Sequence, residues 1–504
     1  MVDIDTSFGP IQVQMMSLSS YLGKISSSNS EMKLENDAET YENMRQKNIE
    51  EKRKLLELMK FQEIKEDIHQ LTAKKKQPRR NKRNWDARRI KLELRPKSLR
   101  LQGINPDLID TSTVINTFEL DIEERFAVPI GPLNFDKALR DGDDIQLSEH
   151  FISQLKSASY DRKIGEDWSN PVLSKVKNKF KSLQLQEKNV AKVVPSRIFS
   201  IEVHPSINKL LVFAGDKTGH LGIWDVHAHN TQDGVNVYRP HSRPVNCLKF
   251  NKENPHYLYS LGYDQTIRQA DLTKAVFEEI FRIPDDENYS CSYFDFLSSN
   301  SAVVSLTNGM VALTDFRDKS VTNYEISSAR KYALKTISVH PTKKQYFITN
   351  GTEGTITLWD SRHMKVRNGK PIASLPGFKT TSSAFFSPIT GNKILATSYN
   401  DTIRIFNSSI LDNSISLITN INHNNRTGRW LTPLKAAWLP NNEDLFVVGS
   451  MDRPRRIEIL SETGQAFHLF SSDYLASVCS TNSIHPAYNI LAGGNSSGRV
   501  HLFM

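Results

Sequence analysis

Residues 353–360 read EGTITLWD: a Gly-containing turn, a run alternating Thr with apolar residues, then Trp359-Asp360. A turn followed by period-two alternation is the pattern of a half-buried β-strand. The same unit recurs on both sides. Upstream it reads TGHLGIWD at 218–225, DQTIRQAD at 264–271 and NGMVALTD at 308–315. Downstream it reads NDTIRIFN at 400–407, DRPRRIEI at 452–459 and SGRVHLFM at 497–504. The units end at 225, 271, 315, 360, 407, 459 and 504, so the intervals are 46, 44, 45, 47, 52 and 45 residues. Further upstream in the unit an apolar strand closes in x-Pro: VHP at 203–205 and 339–341, FSP at 386–388, WLP at 438–440 and IHP at 484–486.

A period in the mid-forties with four short strands per unit is the signature of a WD-repeat β-propeller. The expected fold is therefore all-β, a seven-bladed propeller over 186–504. One four-stranded unit has two apolar faces that it cannot bury alone, and radial stacking buries both. The last unit reaches Met504 on its third strand, so its outer strand must come from before the first repeat. NVAKVVP at 189–195 is predicted to pair with 498–504.

The extension before the propeller has a different texture. Residues 1–40 are rich in Ser and Asn without a period and read as disordered. Residues 41–72 lack Gly and Pro, and Leu55, Leu58, Phe61, Ile64, Ile68 and Leu71 form one stripe, which predicts an amphipathic helix. Residues 73–100 form a basic arm, with 13 Lys or Arg against Asp86 and Glu93 over 74–100. Within it Lys74, Lys75, Lys76, Arg79, Arg80, Lys82 and Arg83 read as a nuclear import signal, and they also suit phosphate contact. Residues 101–185 read as an acidic, extended linker, partly docked on the propeller through short elements around Phe118 and Phe151.

Several chemistries find no support in the pattern. Cys247, Cys291 and Cys479 are far apart and odd in number, which argues against disulfides and zinc and for a reducing compartment. No apolar run reaches the ~18–20 residues that span a bilayer, and MVDIDTSFGP lacks the apolar core of a secretory signal. There is no G-x-S-x-G, P-loop or H-E-x-x-H, so neither an enzyme nor a cofactor, metal, membrane or small-molecule substrate is expected. His204, His340 and His485 repeat in one x-His-Pro turn and Arg268 and Arg404 in one T-I-R strand, which marks them as structural.

The residues before each innermost strand lie on the narrow face of such a propeller. There stand Arg197, Arg243, Lys331 or its neighbour Arg330, Lys379 and Arg429, one per blade in five blades. The turns between second and third strands add Lys217, Arg453, Arg455 and Arg499 to that face. A ring of cations around one mouth suits phosphate. Trp430, beside Arg429, either packs over its loop or presents a flat side chain to a base. The full expected DNA-binding set is Arg197, Arg243, Lys331, Lys379, Arg429, Trp430, Lys435, Arg455 and Arg456.

With these residues in view, the chain resembles the DNA damage-binding WD-repeat proteins of the changed-mutation-rate type, whose animal members are called WD repeat-containing protein 76. The carriers are YENMRQKNIEEKRKLL at 41–56, PKSLRLQGINPD at 96–107, GPL at 131–133, the seven repeats and HNNRTGRWLTPLKAAWLP at 423–440. The last stretch is also similar to the damage-recognition subunit of the UV-damaged-DNA-binding complex, where a hairpin before LTP probes the duplex from the minor groove. At the matching positions this sequence holds Gly428, Arg429 and Trp430, which are different wedge residues. The resemblance implies nuclear binding of duplex or single-stranded DNA, with a preference for UV-damaged duplex. The alternative is a protein-interaction scaffold or a substrate receptor of a cullin-RING ubiquitin ligase: for adaptor docking, Trp359-Asp360-Ser361-Arg362 fits the W-D-x-R pattern fully, and Thr314-Asp315-Phe316-Arg317 fits it in part.

Overall fold

Each repeat folds as four antiparallel strands, because alternation along each strand gives a residue pair for each of two neighbouring blades. In the computed structural model the described residues are 46, 50, 128–139, 151–153, 155 and 173–504, except 229–233, 285–287, 318–319, 326–331, 365–368 and 376–378. The expectations for 1–40, for the basic arm and for Phe118 lie outside the described residues, and within 41–72 only Gln46 and Glu50 are described, both helical. Among the described residues the sheets number seven. Blades 1 to 7 begin with the inner strands Ile198–Val203, Val245–Phe250, Cys291–Phe296, Leu334–Val339, Thr381–Phe386, Ala437–Leu439 and Cys479–Ile484. Inner strands of successive blades lie side by side, and blade 7 returns to blade 1.

The ring closes as expected from the missing outer strand. Val190–Lys192 pairs with Arg499–Phe503 in the register Val190↔His501, Ala191↔Val500 and Lys192↔Arg499. The carbonyl of Gly498 then accepts from the backbone N–H groups of Val193 (3.0 Å) and Val194 (3.2 Å). Gly498 has φ +81°, and a Cβ there would strike the Val194 carbonyl, so only glycine permits this seam.

Two recurrent side-chain devices explain the repeat's letters. The acidic or amide residue ending the third strand caps the turn that follows. Asp225 accepts from the N–H of His227 (3.1 Å), Asp271 from Thr273 (2.9 Å), Asp315 from Arg317 (3.0 Å), Asp360 from Arg362 (2.9 Å) and Asn407 from Ser409 (3.1 Å). The histidine of x-His-Pro accepts on Nδ1 from backbone N–H groups: Ser206 for His204, Lys343 for His340, Ala487 for His485. Through Nε2, His204 meets Pro255 O (3.2 Å) in blade 2 and His485 meets Ser206 O (3.0 Å) in blade 1, so both rings tie neighbouring blades.

The extension contributes to the propeller wall. Strand Leu133–Asn134 adds a fifth strand to blade 2, pairing with Val276 and Phe277. Helix α1 (Phe135–Ala138) follows, and Phe135 is buried against Tyr238 of blade 1 and Phe277 of blade 2 at 4.8 and 4.4 Å. Phe151, Ile152 and Leu155 join the same cluster. Arg268 is fully buried and donates to Pro129 O (2.6 Å), Gly131 O (3.1 Å) and Glu279 (3.2 Å). Its T-I-R position thus holds the incoming segment. Helix α2 (Leu173–Ser182) packs Phe180 onto Phe467 and Phe470 of blade 6.

Candidate functional site

One backbone pattern fixes which loops share the narrow face. In five blades the residue after the second strand donates its N–H to the carbonyl just before the inner strand. The pairs are Lys217 to Arg197 (2.9 Å), Tyr263 to Pro244 (2.9 Å), Thr307 to Ser290 (2.9 Å), Thr352 to Ala333 (3.0 Å) and Tyr399 to Thr380 (3.0 Å). Interblade loops and the turns after second strands therefore surround one mouth.

A single segment, 423–436, reaches across it. Asn425 anchors the start on blade 5, donating to Ser398 O (2.9 Å) and Thr402 O (3.1 Å). The chain then travels to blade 1, where Arg197 donates to Arg429 O (3.0 Å) and Thr432 Oγ1 donates to Ile198 O (2.5 Å). It returns to blade 5, where Ser382 Oγ donates to Leu434 O (2.8 Å). Blades 6 and 7 lie between these anchors, so the segment crosses the mouth. Its tip projects: Gly428 has φ +63° with open space around its Cβ position, and Trp430 is 79% exposed. The guanidinium of Arg429 stands 5.4 Å from the Trp430 ring. Trp430 is thus left bare while Asn425, the Arg429 carbonyl, Thr432 and the Leu434 carbonyl hold the segment.

The expected cations divide by environment. Arg243, Lys379 and Arg429 are exposed, as are Lys217, Arg453 and Arg499, and none has an ion-pair partner among the described residues. Arg197 is half-buried over the Phe199 ring (4.9 Å), and burial lowers its pKa. Arg455 folds back onto Met451 O. Arg456 is paired with Asp452 (2.8 Å) and Glu458 (2.7 Å), which take up its charge. Lys331 lies outside the described residues. Lys435 enters the central channel rather than standing on the rim, its Nζ 5.4 Å from the ring of Tyr293. Channel residues Lys249, Tyr293 and Lys335 escaped the sequence reading. They are the fifth, third and second residues of their inner strands, so no single repeat position announces them.

The two Asp-x-Arg pairs share one geometry. Arg362 clamps Asp360 through Nε (3.0 Å) and Nη2 (2.7 Å), and Arg317 clamps Asp315 likewise (3.0 and 2.6 Å). The guanidinium hydrogen bonds hold both carboxyls at about 2. Both arginines keep an exposed side chain on adjacent blades, 4 and 3. Among the described residues no group of three or more His, Cys, Asp or Glu is placed to hold a metal ion.

Comparison with known proteins agrees with the architecture. The family description "WD domain, G-beta repeat" matches residues 232–271. The chain is 38% identical to WD repeat-containing protein 76 of Xenopus laevis over 470 residues, 92% of this chain and 80% of that relative. It is 36% identical to the protein of the same name from Rhinolophus ferrumequinum, over 92% of this chain and 73% of that relative. It is 27% identical to DNA damage-binding protein CMR1 of Phaeosphaeria nodorum, over 74% of this chain and 78% of that relative.

Proposed function

We propose that this chain, which belongs to the WD repeat-containing protein 76 family, is a non-enzymatic nuclear protein that binds DNA through its narrow face. The carrying observation is the projecting Arg429-Trp430 tip, pinned on blades 5 and 1, on a face that also carries exposed Arg243 and Lys379, which have no ion-pair partner among the described residues. Arg243, Lys379, Arg429 and their neighbours supply phosphate contacts, and Trp430 supplies a base contact with preference for UV-damaged duplex. Arg197 positions the tip by holding the Arg429 carbonyl. Relatives named as DNA damage-binding proteins support this reading. The basic residues Lys74 to Arg83 add import into the nucleus and sequence-independent affinity.

The test is fluorescence anisotropy across a salt series with plain and irradiated duplex, comparing the full chain with residues 118–504. The shorter chain removes the basic arm but keeps Phe135 and Phe180, which the wall needs. Retained, salt-dependent binding assigns DNA contact to the propeller. Binding by the full chain alone assigns it to the arm and defeats the proposal.

The repeated Asp-x-Arg clamp favours a second reading, docking of a cullin-ligase adaptor on blades 3 and 4 through Asp360, Arg362 and Arg317. Adaptor pulldown that survives Arg362→Ala with Arg317→Ala removes it.

A further inference from the structure

Segment 423–436, which carries the tip, leaves blade 5 through His423, a residue the DNA-binding reading does not use. His423 is buried and follows directly on the outer strand Ser416–Asn422. Its backbone N–H donates to Asp401 O (3.0 Å), and its Nδ1 lies 2.8 Å from Asn425 Oδ1. Asn425 fixes the tautomer. The Asn425 side-chain nitrogen donates to Ser398 O and Thr402 O, so its oxygen faces the ring and can only accept. Nδ1 of His423 therefore carries hydrogen, and in the neutral ring Nε2 is a bare acceptor.

That acceptor faces another acceptor. Nε2 lies 3.8 Å from Oε2 of Glu458, on the third strand of blade 6, and has no hydrogen-bond partner among the described residues. Glu458 is buried as well, and its other oxygen accepts from Arg456 Nε (2.7 Å). Arg456 also holds Asp452 (2.8 Å), so two carboxylates share one guanidinium. The remaining charged pair at this junction, Asp401 with Arg426 (2.7 Å), is balanced by itself. A neutral His423 thus leaves a carboxylate in excess and a buried ring nitrogen without a partner. A proton on Nε2 supplies both the missing donor and the missing positive charge.

We infer that His423 is a proton-dependent positioning residue for the Arg429-Trp430 tip. The imidazolium donates through Nδ1 to Asn425 and through Nε2 to Glu458, which ties the exit of blade 5 to blade 6 and holds Asn425 on its two carbonyls. The neutral ring keeps the first bond and lacks the second. Uptake of one proton at Nε2 therefore stiffens the base of the segment that carries the tip, and DNA contact through the tip strengthens as pH falls. The consequence for DNA rests on the function proposed above, whereas the latch between His423 and Glu458 does not.

Amide hydrogen exchange of the full chain, read by mass spectrometry on peptides from 423–436 and corrected for the intrinsic rate, tests the latch without DNA. From about pH 8 to about pH 6, within the interval where histidine charge changes, protection of this segment should rise at least about tenfold, the worth of one hydrogen bond to a charged group. The inner strand Thr381–Phe386 of blade 5 should show no such rise, which separates a local latch from a change in global stability. His423→Gln abolishes the rise. Glu458→Gln abolishes it too, because its amide can donate to the neutral ring, and it serves where the first variant fails to fold. Flat protection in the wild type, or an equal rise in either variant, overturns the proposal. Anisotropy with duplex over the same pH range separates the two readings. Binding that tightens along with protection supports both. Protection that rises with no DNA binding at all upholds the latch and defeats the DNA reading alone. DNA binding that stays constant while protection rises overturns the positioning role.

Discussion

Arg268 and Arg429 have the same side chain and opposite surroundings. Arg268, on the third strand of blade 2, is fully buried, with two backbone carbonyls and Glu279 accepting from it. Arg429, at the narrow mouth, is exposed, its guanidinium beside the Trp430 ring and without an ion-pair partner among the described residues. The difference separates a cation that completes the fold from one left in solvent. A buried charge must be satisfied internally or it destabilises the structure, whereas an exposed one can wait for an anion.

The largest expected effect breaks the buried side. Arg268→Ala leaves the Pro129 and Gly131 carbonyls without their donor and Glu279 with Arg282 alone, at a cost of about 3–5 kcal/mol in chemical denaturation. Phe135→Ala empties the pocket between Tyr238 and Phe277 and falls in a similar range, about 3–5 kcal/mol.

Acid attacks the same buried class by another route. Burial holds His204 at about 3 and His340 and His485 at about 4, below the ordinary 6.5. The unfolded chain takes up protons first, so stability is full above about pH 6.5 and falls as pH drops toward about 4. Denaturant midpoints measured across that window should decline, and His485→Asn should flatten the decline while lowering stability at neutral pH.

The exposed side should respond in binding and not in stability. Arg429→Ala is expected to shift unfolding by no more than about 0.5 kcal/mol, weaken all duplexes alike and reduce the salt slope by roughly one. Trp430→Ala should change least: unaltered melting and a salt slope equal to wild type, with the distinction between irradiated and plain duplex lost. An unchanged preference would return Trp430 to a bare loop residue.

The blades were legible because their determinants are local. Asp225, Asp271, Asp315, Asp360 and Asn407 cap turns two residues away, and alternation sets each strand's faces, so spacing alone exposes the repeat. The missing outer strand was legible too, since a ring that ends on its third strand lacks one. The rim was legible in part. Arg243, Lys379 and Arg429 stand exposed as their loop positions imply, while Arg456 is neutralised by Asp452 and Glu458, one of them four residues back. Residues 128–139 gave no period to read, because two strand residues and a four-residue helix are too short for one.

The sequence by itself determined the repeat, its count, the closure of the ring and the face on which the loops gather. Those follow from turn chemistry and strand periodicity, which act over a few residues. Only the tertiary structure decided which cations face outward and which meet at the axis. Lys435 and Tyr293 are 142 positions apart in the chain, and only closing the ring sets blade 6 opposite blade 3. It likewise decided that Arg268 holds residues 129 and 131, because that contact exists only where a distant segment docks.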